Sequence, residues 1–582
     1  MTPAATPPSP NQPAPQPTRD TRRWVLAGLM AMMMLAAMDT TIVSTAIPQI
    51  VGDLGGLALV SWVFSVYLVA QTVTIPVYGK LSDLVGRKPV LLAGTLIFLA
   101  GSAACSFAWN MHALIVFRGL QGLGAGAIMA TVMTLAGDLY SVEERAAVQG
   151  WLSSVWGMAA IAGPLLGGAF VEYVSWHWIF LVNLPIGALA LALIGVYLHE
   201  SLARRHPHID YAGSALLLVA LACLMLGLLQ GGQVWPWASW QVVLVFGAAL
   251  LALAALVWVE RRAREPVMPG WLWRRRTLVG SNLATIAMGL VMMAPSVYLP
   301  TFLQSVQGLG AIAAGLVLAC ISIGWPLASA LSGKVYLRLG FRDAALVGGV
   351  LILAASLAFV LMPRPQPVAL VVLDQIVLGA GFGLLSTPLL VGMQSVVDWG
   401  RRGVVTGANM FARYLGQSLG AALFGAIFNA TLGARLARAP AQLQGQLPAG
   451  VDGVIDALQA GHAGAAAAAY LRGALGAATD ALYWGMVALS ILLLLALCIA
   501  PRHFPVLHED GAGGVHPPDE TQRPAGRGRA LWKVRRPPGR PHGQSVHQCA
   551  LGAAYLPSSH LAIALRCTSS GPSAKRSVRA WA

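Results

Sequence analysis

The sequence predicts an all-α membrane protein with many spans. Of its 582 residues, 57% are hydrophobic and 10% are charged, and the mean hydropathy is +0.68. Soluble domains carry about 25% charged residues, so a water-soluble or disordered chain is excluded. A membrane-spanning helix needs about 20 apolar residues, and the sequence contains fourteen apolar runs of span length. Each run is predicted to be helical, because backbone groups in lipid must be paired within their own segment.

The loops between the predicted spans carry most of their basic residues on one side of the membrane. Loops on that side contain 17 Lys and Arg, and the alternate loops contain 4. By the positive-inside rule, the first set of loops and both termini are predicted to be cytoplasmic, in a multi-pass protein of the cell (cytoplasmic or inner) membrane. The spans are expected at about 24–46, 57–78, 89–107, 112–136, 146–171, 178–199, 211–230, 239–259, 277–303, 311–332, 344–362, 367–393, 404–432 and 479–500.

Three segments lie outside the predicted spans. Residues 1–23 are Pro-rich and expected to be a flexible cytoplasmic N-terminus, and the full-length apolar run that follows is not that of a cleavable signal. The loop 433–478 is expected outside, where its Ala-rich stretch 462–470 forms either a short amphipathic hairpin or a poorly ordered loop. Residues 503–582 hold 11 Lys and Arg, 4 Asp and Glu and no long apolar run, so we predict a disordered cytoplasmic tail.

Two sequence patterns occur once in each half of the chain. The loop Gly79–Lys88 resembles Gly333–Arg342, which lies 254 residues later. The glycine-rich segment Arg118–Gly126 resembles Gln375–Gly383, which lies 257 residues later. This repeat predicts two six-helix bundles with two extra central spans, an architecture in which transporters hold their site between the halves near the middle of the membrane. The two predicted bundles occupy residues 24–199 and 277–502, and the two linker spans with their loops lie between them in residues 200–276.

Several kinds of chemistry are excluded by what the sequence lacks. It has no nucleotide-binding Gly-x-x-x-x-Gly-Lys-Ser/Thr motif, and the glycines in 122–126 lie inside an apolar run where close helix packing explains them. The 6 cysteines are scattered singly, so neither a disulfide framework nor a zinc site is indicated. The basic residues follow membrane topology and not a nucleic-acid-binding face. We therefore expect no enzyme activity, no cofactor and no nucleic-acid partner, with an ion gradient as the energy source.

Five motifs, met in order along the chain, resemble those of one transporter family. Over residues 20–505 the chain is similar to the fourteen-span drug:proton antiporters of the major facilitator superfamily, through Met38–Pro48, Gly79–Lys88, Arg118–Gly126, Gly157–Gly168 and the pair Trp176–Trp178 and Asn183–Pro185. The motif Gly157–Gly168 resembles the fifth-span signature of exporters. The resemblance implies a major facilitator fold, a proton gradient as the energy source and an exported small-molecule substrate. We expect a monomer whose other partners are protons and membrane lipids.

Two of these motifs are candidates for conformational control. In the loop, Gly79 and Gly86 allow a tight turn. Asp83 is suited to cap a helix N-terminus and to pair with Arg87 or Lys88, and a solvated loop that serves topology only is the alternative. In span five, a proline and small residues suit either a bend between the halves or simple tight packing. The family resemblance favours gating for Gly163, Pro164, Gly167 and Gly168.

Charged residues inside spans are costly to bury and usually functional. Asp39 in span one, Arg118 in span four and Asp374 in span twelve are expected in one layer, because each lies about six or seven residues from the outer end of its span. We interpret them as a proton-coupling group, with Asp39 as the proton carrier and Asp374 as the competing candidate. A static ion pair is the alternative for Arg118.

Polar residues in spans four and thirteen are candidates for a substrate cavity. Arg413 lies with Asn409 and Gln417 at four-residue spacing on one face of span thirteen, and Gln121 belongs to the span-four motif. Polar packing between helices is the alternative. The sequence thus predicts a proton-coupled antiporter that exports small amphipathic drugs or toxic compounds. Export of one endogenous metabolite, antibiotic or lipid, import by the same fold, and a membrane receptor or enzyme are the other functions considered.

Overall fold

The structure is a computed structural model that describes residues 19–56, 59–200, 210–231, 234–440 and 464–505, together with a few positions between 443 and 458. The helices within these ranges belong to one compact unit, Met1–Ala512. The predicted flexible N-terminus before residue 19 and the predicted tail beyond residue 505 lie outside the described residues.

Fourteen helices in the described part of the chain are long and apolar enough to cross a membrane, which confirms the predicted number. The first eight are α1 (Thr21–Leu54), α2 (Val60–Val85), α3 (Arg87–Ser106), α4 (Met111–Leu139), α5 (Val142–Tyr173), α6 (Trp178–Tyr197), α7 (Tyr211–Gln230) and α8 (Trp240–Glu260). The other six are α9 (Arg276–Ser305), α10 (Ala311–Leu339), α11 (Phe341–Leu361), α12 (Val368–Ser395), α13 (Trp399–Ala437) and α14 (Ala465–Ile499).

The last helix begins well before the apolar run that predicted it. α14 starts at Ala465 and not near 479, because alanine has the highest helix propensity and the stretch 465–469 consists of alanines. The segment between α13 and α14 is therefore 438–464, shorter than the expected loop 433–478. The described part of the Ala-rich stretch continues a span and does not form a separate hairpin.

The sequence repeat corresponds to the same turn in both halves. Gly86, between α2 and α3, has a φ of 111°, and Gly340, between α10 and α11, has a φ of 92°. Residues with a side chain rarely adopt such positive φ values, so both turns favour glycine. The two loop patterns thus share this glycine because the backbone of each turn has a positive φ.

The same helix pairings occur in both halves. α1 packs on α5 and α6, and α4 packs on α2 and α3; correspondingly, α9 packs on α13 and α14, and α12 packs on α10 and α11. Between the halves, α2 packs on α13 and α5 packs on α10, which are equivalent contacts under the repeat. The two central spans α7 and α8 pack on each other, and α7 also packs on α2 and α13.

The two halves approach each other most closely at the end of the bundle that carries the loop Gly79–Lys88, called the loop end below. A Cβ atom on Gly79 would lie 2.4 Å from the carbonyl oxygen of Gly403 in α13, and one on Gly150 would lie 2.7 Å from the Cβ atom of Ala330 in α10. Farther from the loop end, α5 packs on α1 and α13 packs on α9, each within its own half. A cavity lies between the halves, lined by residues of both.

Candidate functional site

The central cavity has a volume of about 590 Å³ and is lined by four helices from each half: α1, α2, α4 and α5, and α9, α10, α12 and α13. This volume is in the range of small-molecule sites. Most of the wall is apolar, with Trp156, Trp325 and six methionines: Met33, Met133, Met288, Met292, Met293 and Met410. Flexible, polarizable methionine side chains suit ligands of varied shape.

The three polar residues predicted on one face of α13 all line this cavity. The side chain of Asn409 donates a hydrogen bond to the Thr285 hydroxyl on α9, at 2.8 Å. The guanidinium carbon of Arg413 lies 4.9 Å from the centre of the Trp325 ring on α10. Gln417 completes the face one turn further along. These side chains therefore add hydrogen-bond donors, and Arg413 a positive charge, to a chamber whose wall is mostly apolar.

Asp39, Arg118 and Gln121 form a fully buried cluster beside the cavity. Arg118 Nη1 donates to Asp39 Oδ2 at 2.5 Å, and Gln121 Nε2 donates to Asp39 Oδ1 at 2.7 Å. The Tyr67 ring lies under the guanidinium, with its centre 4.1 Å from the Arg118 Cζ atom. The next residue of α1, Thr40, lines the cavity. The structure thus brings the predicted acid and base together, and it places Gln121 in their cluster and not on the cavity wall.

A second layer of polar groups supports this cluster. Ser102 Oγ accepts hydrogen bonds from Gln121 Nε2, at 3.2 Å, and from Asn183 Nδ2, at 3.0 Å. The Ser102 hydroxyl itself donates to the carbonyl oxygen of Phe180 at 2.9 Å. These bonds connect α3, α4 and α6 behind the carboxylate of α1. Sequence reasoning missed Ser102, although Asn183 lies in one of the motifs that carry the family resemblance.

Asp374 lies in the other half and does not join the Asp39 cluster. Its Oδ2 accepts a hydrogen bond from Gln375 Nε2 at 3.0 Å, and its Oδ1 has no hydrogen-bond partner among the described residues. The repeat explains the difference, because Gln375 occupies the position equivalent to Arg118. Asp39 and Asp374 were predicted at similar depths in the membrane, but only Asp39 contacts Arg118.

Asp83 connects the two halves at the loop end. Its two carboxylate oxygens accept hydrogen bonds from the backbone N–H groups of Gly403 and Val404, both at 2.9 Å. Arg87 Nη2 donates to the same carboxylate at 2.8 Å. Gly403 and Val404 lie in the first turn of the α-helical part of α13, which begins at Arg402 after a short 3-10 turn. The helix dipole favours a negative charge there. The structure thus contains both interactions predicted for Asp83, the helix cap and the arginine pair.

The loop-end network extends to residues that the sequence did not single out. Arg87 Nε donates to Asp138 Oδ2 at 2.9 Å, and Asp138 Oδ1 accepts from Arg402 Nη1 at 3.2 Å. The Arg87 guanidinium also stacks 3.4 Å from the centre of the Trp399 ring. Lys88 does not pair with the loop aspartate but donates to a backbone carbonyl of α6 at 2.8 Å. In the sequence, Arg402 contributed only to the count of basic residues in the predicted cytoplasmic loops. Its pairing could not be predicted, because its partner lies 264 residues away.

The predicted gating glycines of α5 pack against α1 in their own half. A Cβ atom on Gly163 would lie 2.0 Å from the Thr41 hydroxyl oxygen, and Gly167 is similarly close to Thr45. Gly168 has no atom within 4 Å of such a Cβ position, and the exposed Pro164 lies within the continuous helix. This geometry favours the tight-packing interpretation of the first two glycines.

Replacing Gly163 with leucine should push α5 away from α1, because the new side chain overlaps the Thr41 hydroxyl. Overpacking of this kind costs about 1–3 kcal/mol, so we expect a lower melting temperature of the purified protein in detergent. The same replacement at Gly168 meets open space and is the matched control. Equal melting temperatures for Gly163→Leu and Gly168→Leu would contradict this packing argument.

The repeated halves, the central cavity and the buried ion pair define the class of protein as a helical membrane transporter. The family profile described as Major Facilitator Superfamily matches residues 29–421. The chain belongs to this superfamily, as the five motifs predicted.

Several relatives have names that refer to multidrug transport, multidrug resistance or efflux. The chain is 34% identical to multidrug transporter protein MdtP of Bacillus subtilis over 395 residues, which cover 68% of this chain and 73% of that protein. It is 35% identical to multidrug resistance protein 3 of the same organism over 399 residues, covering 68% and 77% of the two chains. It is 31% identical to efflux pump FUS6 of Gibberella fujikuroi over 417 residues, covering 70% and 75%.

A solved structure shares the fold. The crystal structure of the human organic anion transporter MFSD10 (TETRAN) aligns with a TM-score of 0.54 and 16% sequence identity, over 84% of this chain and 100% of that chain. At this identity the likeness concerns the fold alone. Together with the fourteen helices it confirms the predicted fold class.

Proposed function

We propose that this protein exports small amphipathic compounds across the cytoplasmic membrane in exchange for protons, as a monomer with both termini in the cytoplasm. The direction of transport is supported by the name of the relative called efflux pump FUS6, which is 31% identical to this chain. The multidrug names of two further relatives, at 34% and 35% identity, support the substrate class. One observation supports proton coupling above the others: the Asp39 carboxylate is buried between two donors and is one residue from the cavity wall. A carboxylate can gain and lose a proton as its surroundings change.

In this proposal the structure represents the outward-facing state, because the halves are joined at the loop end by the hydrogen bonds of Asp83 and by the close approach of Gly79 to Gly403. Protonation of Asp39 from the outside neutralises the carboxylate and leaves Arg118 without its counter-charge. The cluster then favours a different arrangement of α1 and α4, and the halves rock toward the inward-facing state. Release of the proton to the cytoplasm and binding of substrate there return the halves to the outward-facing state. The substrate then leaves to the outside, which completes the exchange.

The experiment that tests this function compares cells with and without the protein against a panel of toxic compounds. We expect the protein to reduce susceptibility to several amphipathic members of the panel. Inside-out vesicles with an acidic interior, and therefore an outward-directed proton gradient, should then accumulate the same compounds, and collapse of the gradient should release them. Accumulation only in the opposite direction would assign import, and no gradient-dependent transport of any compound would overturn the proposal.

The proposed orientation predicts which loops meet each side of the membrane. In a background with the six native cysteines replaced by serine, Arg338→Cys at the loop end should react with a membrane-impermeant maleimide only after the cells are permeabilised. Arg438→Cys, after α13, should react in intact cells. Both side chains are exposed in the structure. The reverse labelling pattern would invert the assignment of cytoplasmic and outer faces.

A further inference from the structure

Arg413 is the charged group of the central cavity. Of the described residues that line the chamber, it is the only Lys, Arg, Asp or Glu. Its guanidinium lies against the Trp325 ring, and its Nε atom is buried without a hydrogen-bond partner among the described residues. The chamber therefore combines one positive charge with apolar and neutral polar walls.

Three buried arginines in the described part of the chain have a carboxylate beside them. Arg87, Arg118 and Arg402 each lie within 3.2 Å of an aspartate oxygen. In the described part of the chain Arg413 has no such ion pair. An uncompensated cation in surroundings of low dielectric constant is costly. The Arg413 guanidinium thus lacks a counter-charge, and a bound anion would supply it.

The acids of the spans do not neutralise this charge. Asp39 is fully buried and accepts hydrogen bonds from Arg118 and Gln121. Asp374 is buried in α12 beside Gln375, and neither acid is among the residues that line the cavity. An organic cation entering the chamber would meet Arg413 without an opposing carboxylate on the wall.

We propose that the central cavity takes amphipathic organic anions, with the anionic group at Arg413 and the apolar body against the methionines and Trp156. Asn409 and Gln417 also line the cavity, one turn on either side of Arg413. This substrate class rests on the proposed function only in treating the cavity as the transport site. The binding preference itself does not depend on proton coupling.

Two hydrophobic ions of nearly the same size and shape test the sign of the charge directly. Tetraphenylborate is an anion and tetraphenylphosphonium is a cation. Binding of each is measured by equilibrium dialysis to the purified full-length protein in nanodiscs of neutral lipid. Empty nanodiscs supply the background, because the membrane dipole potential alone favours the anion. After this subtraction we expect the anion to bind about tenfold more tightly or better, which is the order of a single charge interaction in a partly desolvated site.

The variant Arg413→Gln should abolish the preference, and Arg413→Lys should retain part of it, because lysine keeps the charge but not the planar fork. Arg472→Gln removes an exposed arginine of α14 outside the cavity and should leave the preference unchanged. Tighter or equal binding of the cation by the unaltered protein would overturn the inference without any variant. An equal loss of both ions in Arg413→Gln would also overturn it, since that pattern indicates a structural arginine.

Transport measurements separate this inference from the proposed function. If vesicles show no gradient-driven transport while the anion preference and its dependence on Arg413 are present, only the proposed function fails. If gradient-driven export is found but tetraphenylphosphonium is bound preferentially, only the substrate class fails.

Discussion

Replacement of Asp39 by asparagine is expected to abolish export against a gradient and substrate-driven proton movement, down to the level of vesicles without protein. Asparagine keeps the size of the side chain and an acceptor for Gln121 or Arg118, but it cannot exchange a proton at working pH. Substrate binding should persist, because the cluster lies behind the cavity wall. Reconstituted vesicles containing a pH-sensitive dye measure both fluxes in one experiment.

The ion pair with Arg118 provides a structural alternative that the experiment must separate. Removing one partner of a buried pair costs about 3–5 kcal/mol, because the other charge remains without compensation. The double variant Asp39→Asn with Arg118→Gln removes both charges and should recover thermal stability and membrane abundance. We expect it to remain inactive in uphill export. Recovery of export in the double variant would mean that Asp39 serves the fold and not proton coupling.

Asp374→Asn is the matched control in the other half. It removes a buried carboxylate that has no arginine partner in the described structure. If Asp39 carries the proton, uphill export should survive this change. Loss of export in Asp374→Asn together with normal export in Asp39→Asn would assign the coupling proton to the second half.

Replacement of Asp83 by alanine is expected to open the loop end and to reduce export strongly. The change removes two backbone hydrogen bonds across the halves and the bond to Arg87. Hydrogen bonds to charged groups contribute about 1.5–3 kcal/mol each, and about 1.4 kcal/mol already shifts an equilibrium tenfold. Spin labels at Val85 and Arg338, one in each half, should report a larger population of long distances by double electron–electron resonance.

The control for this experiment is Asp343, which pairs with Arg342 and Arg502 inside the C-terminal half. Asp343→Ala removes a carboxylate near the same end of the bundle without touching the contact between the halves. Its distance distribution should match that of the unaltered protein. An unchanged distribution in Asp83→Ala would exclude this carboxylate as the latch of the loop end.

Much of the fold could be predicted from local sequence. Long apolar runs predict helices because lipid offers no partner for an open backbone, and all fourteen were found. The boundaries were less accurate, since helices continue into polar or Ala-rich flanks such as 465–469 where hydropathy falls but helix propensity does not. The two related loops also predicted the recurrence of one turn, at Gly86 and Gly340, in both halves.

The candidate site was only partly predictable. Depth along a span correctly suggested that Asp39 and Arg118 lie together. The same reasoning placed Asp374 with them, but in the structure Asp374 lies in the other half beside Gln375. Depth specifies one coordinate, whereas contact also depends on the rotation of each helix and on the half to which it belongs. The spacing of Arg413 with its two neighbours correctly predicted a shared face, because helical periodicity alone decides that question.

The sequence by itself determined that this protein is a helical membrane transporter with two repeated halves, because composition, periodicity and motif order depend on residues that are close along the chain. Only the tertiary structure decided which charges meet. Asp83 caps a helix whose first turn is 320 residues away, while Arg413 faces a shared cavity without a carboxylate. Such pairings depend on how the two halves pack against each other, and no local pattern in the sequence encodes them.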